Sequence, residues 1–556
     1  MRPRCRKWLA RGATWLRATH LGFGVLALVV GLGAGLGAVG FRWLIFAVTW
    51  AVTGREQFGQ QGRVASVHLS FLGAGFIVVA PVIGGLVYGP LVQRFAREAR
   101  GHGVPEVMLA VAENGGRIRP QVSIVKALAS AICIGTGGSV GREGPIVQIG
   151  ATLASSLGQL VRLAQSRLRL LVACGAAGAI SATFNAPITG VLFGLEIILR
   201  ELSAEALFGV LVAAVAANVV SRAFFGAAPF FAGVPHGLVV GHDIDYLLIL
   251  VLGVLAGGIG VGFEKGLYRL EDLCDGLWSG RPEWARPAVG GVALGALLLA
   301  VPGLYGVGYP VMDEAFAGRI AIGLVLAYVV LKPLAASVTI GIGGSGGIFA
   351  PSLFAGAMLG VAFGDGVHHL FGAAAGAVAL YGVVAMGAVF GAATQAPLTA
   401  IASVIEMTGN YSLTVAVMLG VASAVGVAHL LTYGTIYTTK LLRRGIDIDR
   451  PHASDLLSVL TAADAMQPAA PRATLPDGVP TVAADESLAE LLRLLAPAGP
   501  QGVAVLGADR SAVVGWITHE RLLAVLAERL QAAEDEYRDR TPRRGLPRRR
   551  EAARRG

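Results

Sequence analysis

The chain has 556 residues, of which 54% are hydrophobic and only 14% are charged, and its mean hydropathy is +0.67. Soluble domains carry about 25% charged residues, so the composition excludes a wholly soluble protein and predicts several membrane-spanning segments. Residues 1–20 hold six basic and no acidic side chains, and residues 537–556 hold nine basic and two acidic ones. Basic ends around an apolar body predict that both termini face the cytoplasm and contact anionic membrane lipid. Nucleic acid is not expected as a partner.

The cysteines form no CxxC pair and have no metal-ligand spacing, so neither a disulfide framework nor a metal site is expected. They are Cys5, Cys133, Cys174 and Cys274. The apolar segment at residues 21–52 is much longer than a signal-peptide core of about 7–15 residues, so it is expected to stay as a helix. The expected location is a membrane, in a bacterium the inner one.

The first half of the chain contains long apolar segments followed by short ones. Residues 21–52 and 69–95 can each cross a hydrocarbon core about 30 Å thick. Glycine and proline then divide the sequence into short apolar segments. These cover residues 104–111, 122–134, 146–160, 168–181 and 188–199. Short, interrupted segments are typical of helices that end inside the membrane at a binding site.

The second half follows the same plan. Its long apolar segments are 246–268, 287–301 and 320–338, and its broken ones are 349–370, 377–390, 398–407 and 413–431. The glycine-rich stretch at residues 341–347 separates the two groups. The chain therefore predicts two membrane halves of similar design.

An internal repeat is visible in the sequence. Gly141-Arg-Glu-Gly-Pro145 aligns with Gly347-Ile-Phe-Ala-Pro351, and Asn185-Ala-Pro187 aligns with Gln395-Ala-Pro397. Ten residues after the alanine of each Ala-Pro stands a glutamate, Glu196 or Glu406, and we expect these two to share a structural role. The matches predict repeats at about 21–225 and 243–433. The alignment leaves open whether the repeats are parallel or inverted.

The C-terminal region differs in character from the apolar body. Residues 444–459 are a predicted linker, residues 460–531 a predicted small α/β domain, and residues 532–556 a basic tail that is expected to be disordered. Period-two and amphipathic patterns indicate the elements of the α/β domain. The strands are predicted at 481–484, 502–506 and 513–517, and the helices at 488–495 and 522–530.

Three glycine-rich breaks stand at the starts of short helices, and they predict an anion site. The breaks are Gly101-His-Gly-Val-Pro105, Gly141–Pro145 and Gly347–Pro351, and Tyr437 begins a last short helix. Moving an ion into the membrane interior costs about 20 kcal/mol in the idealised limit. Helix N-termini offer a graded, partly positive attraction through free N–H groups. Glycine leaves those amides accessible because it has no Cβ.

With these motifs in this order, residues 21–443 resemble the CLC family of chloride channels and chloride/proton antiporters. The resemblance implies an all-α polytopic membrane domain, built as an inverted repeat of broken and tilted helices. It also implies a homodimer with a separate pore in each subunit. The expected substrates are chloride, other monovalent anions and protons. An enzyme activity is not expected.

The resemblance also implies roles for individual residues. Glu143 is the expected gate, and Lys126 is expected to favour anions near the pore. The central chloride is expected to contact the backbone amides of Ile348 and Phe349 and the hydroxyl of Tyr437. The expected anion-binding set is His102, Gly103, Gly141, Arg142, Gly144, Gly347, Ile348, Phe349, Ala350 and Tyr437.

The chemistry of Glu143 supports a gating role independently. A carboxylate is itself an anion, so it can occupy a site made for chloride and close the path. Protonation removes this competition, so protons and chloride would act through one side chain. The alternative is a structural salt bridge from Glu143 to Arg142 or Lys126.

Two positions depart from the family pattern. His102 stands where the family usually has a serine whose hydroxyl contacts chloride. Its imidazole either replaces that donor or is turned away from the anion. Ile197 stands where proton-coupled relatives commonly have a second carboxylate that relays protons. Because isoleucine cannot titrate, the sequence favours a passive, channel-like protein over an antiporter with a water-mediated proton path.

Two further patterns give alternative readings. Ala463–Met466, Thr481–Asp485 and Val513–Thr518 resemble parts of a CBS domain, which raises an adenine nucleotide as a ligand and a nucleotide-sensing membrane protein as a distant alternative. A single copy favours an assembly module without a cofactor. Gly137–Gly141 and Gly343–Gly347 match G-x-S-x-G, but a hydrolase needs a strand-turn-helix context and a partnered histidine. Neither accompanies these glycines.

Overall fold

The computed structural model describes residues 15–17, 19–56, 58, 63–231, 233–372, 375–449, 457, 460–469, 478–498, 502–507 and 512–540. The chain divides into two compact units, residues 1–441 and 442–556. The basic N-terminal stretch falls mostly outside the described residues, as do most of the predicted linker and the tail beyond residue 540.

The larger unit is helical. Its first half contains the helices α1 (His20–Thr53), α2 (Phe76–Phe95), α3 (Val104–Ala112), α4 (Gln121–Gly135), α5 (Glu143–Val161), α6 (Gln165–Phe184), α7 (Pro187–Leu192) and α8 (Ala204–Phe225). A π-helical segment, Phe193–Leu199, continues α7. The predicted apolar segments of this half are confirmed as helices, whereas α8 was not predicted.

The second half repeats this order of long and short helices. Its helices are α9 (Asp243–Trp278), α10 (Arg286–Ala300), α11 (Tyr309–Phe316), α12 (Ile322–Gly341), α13 (Phe349–Phe371), α14 (Val378–Thr394), α15 (Pro397–Thr408), α16 (Thr414–Leu431) and the last short helix α17 (Thr438–Leu442). The short helix α11 was not predicted. Within the described residues, eight helical segments are long and apolar enough to cross a membrane.

Corresponding helices of the two halves pack in corresponding ways. In the first half α1 packs against α6 and α8, and in the second half α9 packs against α14 and α16. Glycines permit these close approaches: a Cβ at Gly31 of α1 would lie 2.4 Å from the carbonyl oxygen of Ala213, and one at Gly253 of α9 would lie 2.7 Å from that of Gly420. Small residues at such interfaces let helix backbones approach each other in a membrane protein.

The repeated glutamates join the two halves by reciprocal caps. Glu406 accepts hydrogen bonds from the backbone N–H groups of Ile188 and Thr189 at 3.0 and 2.7 Å, at the start of α7. Glu196 accepts the same bonds from Leu398 and Thr399 at 3.1 and 2.7 Å, at the start of α15. Each threonine hydroxyl also donates to the same carboxylate. The predicted shared structural role is confirmed, because each glutamate caps the start of the helical segment that leads to the other.

The smaller unit contains a four-stranded sheet with the order β1-β4-β3-β2. The strands are β1 (Gln467–Pro468), β2 (Thr481–Ala483), β3 (Val503–Leu506) and β4 (Val513–Ile517), and the helices are α18 (Ala462–Ala465), α19 (Leu488–Leu495) and α20 (His519–Arg540). β2 and β3 are parallel, and the other pairs are antiparallel. Leu488 and Leu491 of α19 pack with Val503 and Val505 in the core.

One boundary in this unit was predicted wrongly. The tail was expected to be disordered from residue 532, but α20 continues through Arg540. Residues 531–540 are rich in alanine, glutamate and arginine, which are strong helix formers. Such residues can extend a helix even where a high content of charged residues predicts disorder.

Candidate anion-binding site

The three glycine-rich breaks lie side by side. Gly141 and Gly347 exchange two backbone hydrogen bonds, with N···O distances of 2.7 and 2.5 Å. The N–H of Gly101 donates to the carbonyl of Gly344 at 3.0 Å, and the N–H of Gly346 donates to the carbonyl of Gly101 at 3.3 Å. The breaks are far apart in the sequence, and the fold brings them together at one point between the two halves.

The helices α3, α5 and α13 begin at this point. Gly103, with φ +82°, directly precedes α3 and requires glycine because a side chain is strained in that conformation. A Cβ at Gly144 would lie 1.9 Å from the carbonyl oxygen of His102, and one at Gly347 would lie 2.8 Å from the amide nitrogen of Gly144. The backbones that begin these helices are therefore in direct contact.

The side chain of Glu143 fills the space between the breaks. Only 1% of the residue is exposed. Its Oε1 accepts a hydrogen bond from the hydroxyl of Tyr309 at 2.5 Å, and its carboxylate also faces the backbone N–H of Ala350. A Cβ at Gly141 would lie 1.8 Å from Oε2 of Glu143, and one at Gly347 would lie 2.8 Å from it. The carboxylate thus occupies a cradle that only glycine backbone leaves open.

The alternative salt bridge of Glu143 is absent from the described residues. There, neither Lys126 nor Arg142 pairs with Glu143. Lys126 is buried and donates from Nζ to the carbonyls of Ala99 and Gly101 at 2.9 and 2.7 Å. The lysine therefore braces the backbone that leads into the first glycine break, while its charge remains close to the site.

Tyr437 lies beside His102 of the first glycine break. Both residues are buried, and their ring centroids are 6.1 Å apart. Nε2 of His102 lies 3.5 Å from the hydroxyl of Tyr268, which donates to the carbonyl of Ile436 at 2.6 Å. The imidazole is therefore enclosed by protein. Its contact with an anion stays a prediction.

The predicted chloride ligands of the second half begin α13. Ile348 and Phe349 are buried, and the Phe349 ring packs against Phe184 and Phe390 with centroid distances of 5.0 and 4.2 Å. This packing fixes the first turn of α13 next to the carboxylate of Glu143. The amides of Ile348 and Phe349 and the hydroxyl of Tyr437 stay a prediction as chloride ligands.

Tyr309 was missed by the sequence analysis, although the sequence contains a signal for it. Gly306-Val-Gly-Tyr-Pro310 repeats Gly101-His-Gly-Val-Pro105 at an offset of 205 residues. Gly308, with φ +97°, precedes α11 as Gly103 precedes α3. Lys332 repeats Lys126 in the same way, since its Nζ donates to the carbonyl of Gly306 at 2.7 Å. Extending the repeat to this fourth glycine motif would have found both residues.

Two buried residues concern the predicted proton relay. Ile197, at the predicted relay position, is a buried apolar residue in the π-helical segment. Glu264 of α9 is only 3% exposed, and it accepts hydrogen bonds from the hydroxyls of Thr439 and Thr432 at 2.6 and 3.4 Å. It stands one helical turn before Tyr268. The fold therefore places a buried carboxylate beside the last short helix, which follows Tyr437 in the chain.

Comparison with known proteins identifies the family. The profile described as voltage gated chloride channel matches residues 84–429. A ClcB-like chloride channel protein, by name, from Ralstonia nicotianae is 34% identical over 77% of this chain and 99% of its own length. The H(+)/Cl(-) exchange transporter ClcA of Salmonella arizonae is 33% identical over 76% of this chain and 89% of its own length. The chain belongs to the CLC family of chloride channels and transporters.

Solved structures agree with this assignment. The crystal structure of a slow cyanobacterial Cl−/H+ antiporter matches with a TM-score of 0.66 and 26% identity, over 76% of this chain and 97% of that one. A CLC-type fluoride/proton antiporter matches with a TM-score of 0.62 and 25% identity, over 75% of this chain and 97% of that one. The larger unit is therefore a helical, polytopic CLC-type membrane domain.

Proposed function

We propose that this protein exchanges chloride for protons across a membrane, with Glu143 as the gate. The observation that carries the proposal is the position of the Glu143 carboxylate, which fills the glycine cradle where three helices begin. Only an anion is well stabilised there, so chloride and the carboxylate compete for one place. Protonation of Glu143 would release the cradle to chloride and at the same time load a proton.

Exchange is preferred over passive conduction for two reasons. The ClcA relative is named as an exchange transporter and the similar structures as antiporters. This chain also has a buried carboxylate, Glu264, that can serve where the usual relay position carries Ile197. From Glu264, the residues Tyr268 and His102 lead toward the glycine breaks, and each of them can donate and accept a proton.

Passive, channel-like conduction is the second candidate, and the sequence favoured it. The observation in its favour is Ile197, a buried apolar side chain at the position where proton-coupled relatives commonly carry a carboxylate. In a channel, Glu143 would open and close the pore without moving protons in a fixed ratio.

The remaining features of the proposal concern assembly. We expect a homodimer with one pathway per subunit, related halves of inverted orientation, and both termini in the cytoplasm of a bacterium whose inner membrane holds the protein. We assign the smaller unit a CBS-like assembly role, without a bound cofactor. An adenine nucleotide at this unit, and with it a sensing function, is the alternative that nucleotide titration of the whole protein would detect.

The deciding experiment records chloride and pH together from proteoliposomes. A chloride gradient should drive protons in the opposite direction to chloride flow, and a pH gradient should drive chloride. Chloride flux with no proton movement would contradict exchange and support passive, channel-like conduction. No anion flux from well-folded protein would remove both.

A further inference from the structure

A second group of charged residues lies on the Tyr309 side of the gate. A cavity of about 350 Å³ is lined by residues that include Arg42, Arg142, Tyr309, Phe230, Glu56 and Asp313. Because Tyr309 also bonds the carboxylate of Glu143, the cavity adjoins the gate directly. We call it the arginine cavity.

The two arginines are held in place by aromatic rings. The guanidinium carbon of Arg142 lies 5.3 Å from the ring centroid of Phe230 and 5.6 Å from that of Tyr309. The guanidinium carbon of Arg42 lies 4.0 Å from the centroid of Phe225. Stacking on an aromatic face fixes the plane of a guanidinium and leaves its N–H edge available to an anion.

These N–H edges are incompletely used. Arg142 is only 8% exposed, and its one hydrogen bond in the described part of the chain is a long one, 3.4 Å, from Nη2 to the carbonyl of Thr183. The Nε atoms of Arg142 and Arg42 are both buried without a hydrogen-bond partner among the described residues. A buried donor without a partner costs about 1–3 kcal/mol, and more when it is charged. Two such donors at one cavity can be satisfied by a ligand that accepts hydrogen bonds.

The charge at this place points to an anion. Arg42 and Arg142 are close enough to repel each other electrostatically, and they also share a smaller void with Thr183 and Phe225. The carboxylates that line the cavity do not neutralise them: Asp313 accepts from the backbone N–H of Gly233 at 3.2 Å, and Glu56 is exposed. Neither forms an ion pair with the arginines within the described residues. A bound anion would satisfy both Nε–H donors and relieve the repulsion.

We propose that Arg42 and Arg142 form a loading site for a small monovalent inorganic anion, placed before the gate on the Tyr309 side. The inference deepens the proposed transport function and rests on it. An anion bound here would be separated from the Glu143 carboxylate by the side chain of Tyr309, which lines the cavity and bonds that carboxylate. When Glu143 is protonated and gives up the cradle, the waiting anion is the first to reach it.

The first test locates the anion without measuring transport. Crystals of the whole protein grown or soaked in sodium bromide should give an anomalous peak within about 3.5 Å of Nε of Arg42 and Arg142. The Arg42→Gln protein should lose the peak while keeping its fold. A map with no bromide at either guanidinium in the wild-type protein would overturn the proposal. Because this test needs no flux, it stands even if the transport function fails.

The second test measures loading in proteoliposomes. Arg42→Gln should raise the half-saturating chloride concentration about three- to tenfold for chloride on one side of the membrane only, because focused charge raises local anion concentration. Arg42→Lys should recover most of the loss. The control is Arg169→Gln, which removes an equal charge from an exposed residue of α6 outside the cavity lining. An equal shift for chloride on both sides, or the same shift in the Arg169 variant, would contradict a loading site.

Discussion

At the scale of single residues, we propose that the carboxylate of Glu143 both blocks the anion path and carries the proton. Lowering the pH protonates it, and the neutral acid has less reason to stay in the cradle, so wild-type flux should rise as pH falls. Glu143→Gln is permanently neutral at this position. We expect its anion flux to be high and nearly independent of pH, as measured by chloride efflux between pH 4 and 8. Flux with the wild-type pH dependence would contradict the gating role.

Gly141 offers a separate test of the closed gate. A methyl group at this position would lie 1.8 Å from Oε2 of Glu143. The clash is with the end of a flexible side chain, so Gly141→Ala should fold and push the carboxylate out of the cradle. We expect faster chloride efflux with a weaker pH dependence, and little additional effect in a Glu143→Gln background. Gly40→Ala, where no atom lies within 4 Å of the added methyl group, is the control and should leave efflux unchanged.

A substitution at His102 tests whether its imidazole contacts the anion near Tyr437. Replacing its imidazole by the hydroxyl that the family usually has exchanges a titratable donor for a neutral one. If the imidazole contacts the anion, His102→Ser should change the ratios of chloride, nitrate and fluoride flux by about threefold or more, since a changed donor alters discrimination between anions. Identical ratios in the two proteins would assign His102 to packing against Tyr268 and Tyr437.

At the scale of elements, the reciprocal caps fasten the two halves together. Glu406 takes three hydrogen bonds from the first turn of α7, two from backbone N–H groups and one from Thr189 Oγ1. Bonds to a charged acceptor contribute about 1.5–3 kcal/mol each when formed in place of solvent contacts. We expect Glu406→Gln to lower the thermal midpoint in detergent by several degrees, and Glu196→Gln to do the same.

A matched control separates the cap from the loss of charge. Glu201→Gln removes an exposed carboxylate just after the π-helical segment and should leave the midpoint unchanged. Thr189→Val should add little to Glu406→Gln, because both changes remove the same contact. Fully additive losses would mean that the two residues act separately.

The helices could be predicted where the length of an apolar segment or the spacing of the internal repeat indicated them. The segments leading to α5, α7, α13 and α15 followed from glycine, proline and hydrophobic runs. The short helix α11 did not, because Tyr309–Phe316 contains two acidic residues and has no long apolar run. Its only signal is the glycine motif that precedes it. The hydrogen bond from Tyr309 to Glu143 joins residues 166 positions apart. It depends on tertiary packing, so neither segment predicts it alone.

At the scale of the whole molecule, a duplicated scaffold carries an unequal site. Glu143 and Phe349 begin equivalent helices, so one half supplies the carboxylate and the other an apolar ring. His102 and Val307 occupy equivalent positions in their glycine motifs, as do Val104 and Tyr309. Duplication thus supplies two similar sets of helix N-termini, and substitution within them makes the two approaches to the gate chemically different. An exchanger needs such a difference, because protons and anions must take separate routes on one side of the gate.

We predict that a proton leaving Glu143 passes to Glu264. The Glu264 carboxylate is buried and accepts a hydrogen bond from Thr439, at the start of the last short helix. If it receives the proton in place of the residue missing at Ile197, Glu264→Gln should keep chloride flux but lower chloride-driven proton movement more than about tenfold, because a proton donor at a transfer step contributes at least that much. Glu271→Gln, on the same helix, is the control and should stay coupled. Proton movement at the wild-type ratio in the Glu264 variant would place the path elsewhere, through water past Ile197.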